Sequence, residues 1–446
     1  MRIRYIANAC FQITLANGRM LLTDPWIEGP CQQTWHNFPP VGEALRAEVY
    51  GRAPDAIYIS HLHHDHLHPQ TLAHFDRATP VLIGKLNTPN LRGALARLGF
   101  TQIRELDFEA RQALEPLGCE AVLFRDFHGD TRGDATLVEY DLDTSIYIHD
   151  ADGARLFDAV DNTILPADAA RIAAEQGAPD VAILPYASAS LYPMAMADFD
   201  EAQKTAAMRA LRARTAANFA ANAAALGARW VVPAGGEYVL GGPVAGQSRF
   251  LPQPLAGELA EALGERSAGL RKLYPGDGLD CASGETTPDP RAAHRGFDDA
   301  ERAAYALTLA DRAPTYAQLE LPADLAFDWS RALKKCAANF HRRRAAMGLA
   351  PPIDIYLDVV SWPERSPRFL FKLAMDSDAG AMVEAPAGDG RARLTYAIDE
   401  KLLFCLVTGL VSWNAMEASA LMPIRRSPDV YEHDLHRSIV HFSLLA

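Results

Sequence analysis

Tyr58-Ile-Ser-His61-Leu-His63-His64-Asp65-His66-Leu-His68 holds five of the chain's 14 histidines and one carboxylate within eight residues. Upstream, Asp55-Ala-Ile-Tyr-Ile-Ser60 reads as a short buried strand, so the histidines begin where a strand gives way to a loop. Neutral imidazole combined with carboxylate suits zinc or iron better than calcium or magnesium. His61 and His63 lie two residues apart, and in extended backbone they share a face and can grip one ion. Asp65 and His66 follow as the chain turns toward a helix suggested by Pro69-Gln-Thr-Leu72, which lets them reach a second ion. Two metals about 3.5–4 Å apart clamp attacking and leaving oxygens or hold dioxygen between them. His64 points the other way in this reading. With His68 it flanks the cluster, free to orient a ligand, shuttle a proton or contact an anionic substrate.

The order His-x-His-x-Asp-His after an apolar strand, with Asp24-Pro25-Trp26 closing an earlier one, resembles the metallo-β-lactamase superfamily. That resemblance implies an α/β fold, an αββα sandwich with a mono- or dinuclear metal site at one edge of its two sheets. Its members include hydrolases, lactonases, nucleases and iron enzymes that handle oxygen. Thr23-Asp-Pro-Trp-Ile-Glu-Gly-Pro30, Phe157-Asp-Ala-Val-Asp161, Leu191-Tyr-Pro-Met194, Pro233-Ala-Gly-Gly236, Gly409-Leu-Val-Ser-Trp413 and Arg426-Ser-Pro-Asp-Val-Tyr431 resemble the CMP-N-acetylneuraminate hydroxylase-like branch. The resemblance puts metal ligands at His61, His63, Asp65 and His66, at His128 in Phe124-Arg-Asp-Phe-His-Gly-Asp130, and at Asp161 as the bridging carboxylate, with Asp158 its competitor. The superfamily's final histidine, expected after Arg229-Trp-Val-Val-Pro233, is replaced by Ala234-Gly-Gly-Glu237. Glu237 then supplies an oxygen ligand, or else supports the ligands or contacts substrate. Harder oxygen ligation favours iron or manganese over zinc. Asp65, His64 and Glu237 are the candidates for catalytic work.

The branch also carries an N-terminal Rieske domain, whose centre needs paired cysteines and histidines. Here the six cysteines, Cys10, Cys31, Cys119, Cys281, Cys336 and Cys405, form no such pair. The expectation is a catalytic domain without that module, supplied with electrons by an external donor protein or by the substrate. Two mechanisms follow. In one, an iron centre, with two irons per chain, makes the protein an oxygenase of a small polar metabolite. In the other, zinc on the same residues lowers the pKa of bound water to about 7, and the resulting hydroxide attacks an ester, lactone or phosphoester.

The 446 residues are 49% hydrophobic and 22% charged, enough for substantial cores and two domains. A net charge of −13 opposes nonspecific nucleic-acid binding and counts against the nuclease members. No apolar run of about 18 residues suggests a membrane span, and unpaired cysteines fit a reducing, cytoplasmic setting. Residues 1–285 are expected to form the catalytic domain, 286–298 a Pro- and Gly-rich linker and 299–446 a smaller α+β domain that loosely resembles sterol-carrier-like folds. In that last part the basic run His341-Arg-Arg-Arg344 reads as a solvated helix face, or as a place for a phosphate or carboxylate.

Overall fold

The computed structural model describes residues 1–86, 88–125, 143–162, 164–187, 190–320, 327–386 and 390–445. The first half is built from β1 (Arg2–Ala7), β2 (Cys10–Thr14), β3 (Met20–Thr23), β4 (Trp35–Asn37), β5 (Ala56–Tyr58), β6 (Val81–Gly84), β7 (Ile103–Leu106), β8 (Gln112–Leu114), β9 (Cys119–Arg125), β10 (Thr144–His149), β11 (Arg155–Asp158), β12 (Val181–Pro185), β13 (Trp230–Ala234), β14 (Tyr238–Leu240), β15 (Gly278–Asp280) and β16 (Thr286–Thr287). One sheet has the order β16-β15-β1-β2-β3-β5-β6-β7, a second β13-β12-β11-β10-β9-β8, and β14 pairs with β4 as a short ribbon.

Alternation along the strands sorts the apolar side chains into layers. Ile3, Phe11, Leu21, Tyr58 and Leu82 of the first sheet meet Leu123, Ile146, Leu156, Ile183 and Val232 of the second in one inner core. Their neighbours face outward. Leu22, Ile57 and Ile83 pack on Leu45, Val49, Leu91 and Leu95 of the helices Glu43–Gly51 and Asn90–Arg97. On the other side Phe157, Ala182 and Leu184 pack on Ile172, Phe219 and Leu226 of the helices Pro166–Gln176 and Glu201–Leu226. The result is helix, sheet, sheet, helix, the αββα sandwich expected from the sequence.

The second half adds β17 (Asp354–Val360), β18 (Pro367–Ala374), β19 (Ala379–Val383), β20 (Arg393–Asp399) and β21 (Ile424–Ser427), in the order β19-β18-β17-β20-β21. The helices Trp329–Ala346 and Glu400–Thr408 pack against this sheet. Residues 286–298, which composition marks as a linker, are stitched to the sandwich instead. Thr286 pairs with Leu279, Arg295 pairs with Asp277, and Arg291 reaches Glu48 at 3.1 Å. The helix Asp299–Leu307 continues on that body, because Arg212 grips Asp299 at 2.8 Å and buried Arg302 donates to Gln253 at 2.8 Å. Charge pairing in a Pro- and Gly-rich stretch gives no apolar periodicity, so composition alone reads it as unstructured.

Candidate metal centre

Strand direction places the donors. β3 and β5 run parallel, as do β11 and β12, and their C-terminal ends open at one edge of the sandwich. β10 is antiparallel to β11, with Ile146 opposite Asp158, so the start of β10 lies at the same edge. Thr144 fastens the two sheets there: its hydroxyl meets Tyr58 Oη at 2.7 Å and donates to the Ser60 carbonyl at 2.8 Å.

His61, His63 and Asp143 form one possible ligand group and His61, His66 and Asp161 another, with the atoms in each group within 4.8 Å of one another. His61 Nε2 is 2.7 Å from His63 Nδ1 and 3.1 Å from Asp143 Oδ1. His66 Nε2 lies 3.2 Å from Asp161 Oδ2 and 3.3 Å from Asp65 Oδ2. The two groups share His61, which offers one ligand nitrogen to either, so only one of them can hold an ion through all three of its residues at a time. Asp158 stays behind them: one of its oxygens accepts from the Val160 amide at 3.0 Å, and the other has no hydrogen-bond partner. His128 lies outside the described residues.

Behind the donors stands a layer that aims them, as metal-binding imidazoles require. Asp24, fully buried at the end of β3, accepts the Ser60 amide at 2.8 Å with one oxygen and lies 3.1 Å from His66 Nδ1 with the other. The Ser60 hydroxyl meets His61 Nδ1 at 2.8 Å. Asp65 is held by Gln32 Nε2 at 3.2 Å and Asn8 Nδ2 at 3.4 Å. Asn8 Oδ1 in turn accepts the Gly236 amide at 2.6 Å. Gly235 has φ +74°, and a Cβ there would sit 2.8 Å from Asp161 Oδ1, so the backbone leaves the space that this carboxylate uses.

Burial lowers the His61 proton affinity well below the ordinary imidazole value, aided by the charges of His66 and His63, which leaves the neutral form that ligates metal. Burial also acts to lower His66, but Asp65, Asp161 and Asp24 outweigh it and hold the ring protonated. Burial would raise Asp65, and the charge of His66 overrides it downward. One imidazolium among three carboxylates in a buried site is the electrostatic signature of a place suited to a multivalent cation. The donor set therefore fits a metal.

Two expected residues have other partners. Glu237, proposed as ligand or catalytic group, is buried and is taken up by the Tyr5 hydroxyl and the Lys272 ammonium, outside the donor cluster. A buried carboxylate needs such a partner, and Lys272 supplies it. His68 is buried as the N-cap of the helix Pro69–Leu72, where it accepts the Thr71 amide, and burial pushes it down to about 4. His64 stands exposed at the rim of a cleft of about 460 Å³ that reaches from Gln32 and His63 to Arg97 and Asn414. Asp143, Gln32 and Asn8 escaped the sequence reading. Asp143 was hidden because the strand it precedes, Thr144–His149, is polar at both ends; for the two amides there is no sequence signal.

Residues 2–187 match the family model described as a beta-lactamase superfamily domain. Beyond the domain, the chain is similar to a Mycobacterium tuberculosis protein provisionally named a Rieske 2Fe-2S iron-sulfur protein, at 30% identity over 241 residues, 53% of this chain and 44% of that one. It is similar also to the cytidine monophosphate-N-acetylneuraminic acid hydroxylase of Danio rerio, at 32% identity over 92 residues, 20% of this chain and 15% of the hydroxylase. The chain thus spans less than half the length of the curated relatives it matches. Among solved structures, isothiocyanate hydrolase from Delia radicum gut bacteria aligns with TM-score 0.44 and 14% identity over 63% of this chain and 99% of that one.

Proposed function

We propose that this chain is a non-haem iron oxygenase with two metal positions, acting on a small polar metabolite. The observation that carries the reading is the donor set: three imidazoles, His61, His63 and His66, gathered with three carboxylates, Asp65, Asp143 and Asp161. Oxygen-rich ligation of this kind favours iron over zinc. The names of the relatives point the same way, an iron-sulfur protein and a family of hydroxylases. When bound, iron supplies the redox and Lewis-acid chemistry of oxygen activation. Electrons come from an external donor protein or from the substrate itself.

The side chains do the rest. Asp24 and the Ser60 hydroxyl fix the orientation of His66 and His61, while Gln32 and Asn8 hold Asp65 at its station. Substrate enters the cleft, where Leu62, Leu67 and Leu98 exclude water from one wall. At its rim, the exposed imidazole of His64 carries protons between substrate and solvent.

The test is elemental analysis of protein purified without chelator from cells supplied with iron and zinc, with optical spectra before and after exposure to oxygen. Two irons per chain and a spectrum that responds to oxygen support the oxygenase. Stoichiometric zinc and a silent spectrum replace it with hydrolysis of an ester, lactone or phosphoester.

A further inference from the structure

The cleft beside the metal ligands does not end at Arg97. Gly409, Ser412 and Asn414 also line a second recess of about 570 Å³ that lies between the start of the helix Asn90–Arg97 and the C-terminal half. Among the described residues no Asp or Glu lines either cavity, in a chain with 56 acidic against 43 basic residues. The polar part of its lining includes Arg343, His441, Thr88 and Asn90 together with the shared Ser412 and Asn414, and Leu406, Val411 and Trp413 are among its apolar part.

Three features there await the same kind of partner. Thr88 is 9% exposed, and its hydroxyl has no hydrogen-bond partner. The Nε of Arg343 is buried without one, and among the described residues Arg343 joins no ion pair, whereas Arg344 beside it is bound to Asp378. The helix Asn90–Arg97 begins at Pro89, which offers no side-chain acceptor to the first-turn amides. Buried donors left unpaired are costly, and a helix start carries partial positive charge suited to an oxyanion. Burial and the Arg343 charge both keep His441 short of protons, down to about 4, so the ring is neutral and adds a hydrogen-bonding group and no charge of its own.

We propose that this recess is an oxyanion subsite: Arg343, the Thr88 hydroxyl and the helix amides receive a phosphate or carboxylate of the substrate, whose reacting end lies along the shared cleft at the metal ligands. The substrate is then an anionic metabolite long enough to span both recesses. The inference rests on the metal site being the reaction centre and is independent of which metal it holds.

Calorimetric titration of the metal-loaded protein with inorganic phosphate and, separately, with succinate tests this, with metal content measured before and after. Saturable binding is expected, weakened at least about tenfold by Arg343→Met and measurably by Thr88→Val, and unchanged by Arg342→Met on the same helix. The better-bound probe identifies the anion as phosphate or carboxylate. Absence of saturable binding overturns the proposal, as does equal weakening by Arg343→Met and Arg342→Met. An affinity untouched by Arg343→Met would mean binding at the metal and also overturns it. Should Arg343→Met fail to fold, Thr88→Val decides, and an unaltered affinity refutes the subsite. Zinc in place of iron would sink the oxygenase and leave this result standing.

Discussion

Asp24→Asn separates the aiming of a ligand from the ligand itself. In the wild type one Asp24 oxygen accepts the Ser60 amide at 2.8 Å and the other faces His66 Nδ1 at 3.1 Å. Asparagine keeps the first contact through its carbonyl but turns an NH2 group toward Nδ1. The ring must then accept at Nδ1 and carry its proton on Nε2, the atom that lies 3.2 Å from Asp161. A protonated Nε2 cannot ligate. Losing the carboxylate partner of a metal-bound histidine costs about 10–100-fold in metal affinity, roughly 1.4–2.7 kcal/mol. The fold should lose far less, since the Ser60 bond survives and Asp65 and Asp161 still face the ring. Asp24→Ala would in addition strand the buried Ser60 amide, at about 1–3 kcal/mol of stability. The assay is competition for metal against a chromophoric chelator, alongside denaturant unfolding of the metal-free proteins. Affinity within twofold of wild type in Asp24→Asn would refute the role assigned to Asp24.

Asp65→Ala should abolish turnover and empty the second metal position; normal metal content with retained activity would remove the two-metal reading. Asp158 is pushed up to about 8, first by burial and then by the Asp24 charge. Its folded-state pKa is above the unfolded value of about 3.9, so its contribution to stability is full below about pH 4 and is lost as the pH rises toward 8. Asp158→Asn cannot ionise, and its advantage over wild type in urea unfolding of metal-free protein should be nil near pH 4 and grow toward pH 8; parallel profiles would contradict this. Lys272→Met should cost about 1–3 kcal/mol by leaving a buried Glu237 oxygen without its partner, since burial holds the Glu237 proton affinity well above the ordinary carboxylate value and the lone group is neutral. Adding Glu237→Gln should recover part of that loss, and a double variant as unstable as the single one would show that the loss does not come from Glu237 left without its partner.

What the sequence made legible was whatever is local. The histidine run is contiguous, and strands buried on both faces read as apolar blocks, so the sandwich could be read from the chain alone and the run stood out as a candidate ligand set. β10 could not, because Thr144-Ser-Ile-Tyr-Ile-His149 looks polar at both ends. Its Thr144 and Ser145 are buried because their hydroxyls bind the carbonyls of Ser60 and Ala159 across the fold. Asp143 was hidden with it. Glu237 misled for the opposite reason: its place in sequence matches a ligand position, but Lys272, 35 residues on, claims it. Composition likewise read residues 286–298 as a linker, since ion pairs to distant residues leave no local pattern.

The C-terminal half also bears on the candidate metal site through one short segment of the sandwich. Trp35 stacks on Tyr238 at 3.6 Å between ring centres, and its indole donates to the Ala418 carbonyl at 2.9 Å. Thr34 donates to the Ser419 carbonyl at 2.8 Å, and Gln33 accepts the Tyr316 amide at 2.8 Å. Between these anchors and the metal donors sits Gln32, which donates to Asp65. Gln32 and Gln33 both have positive φ, +41° and +68°, a conformation that costs roughly 1–2 kcal/mol for each non-glycine residue. Such strain persists only where the surroundings over-determine it, and here the surroundings are supplied by residues 316–419. Without them the segment would relax, Gln32 would leave Asp65, and the carboxylate would lose one of its two side-chain holders. Although the family model matches only residues 2–187, the second half of the chain is therefore part of what holds the candidate metal ligands in place.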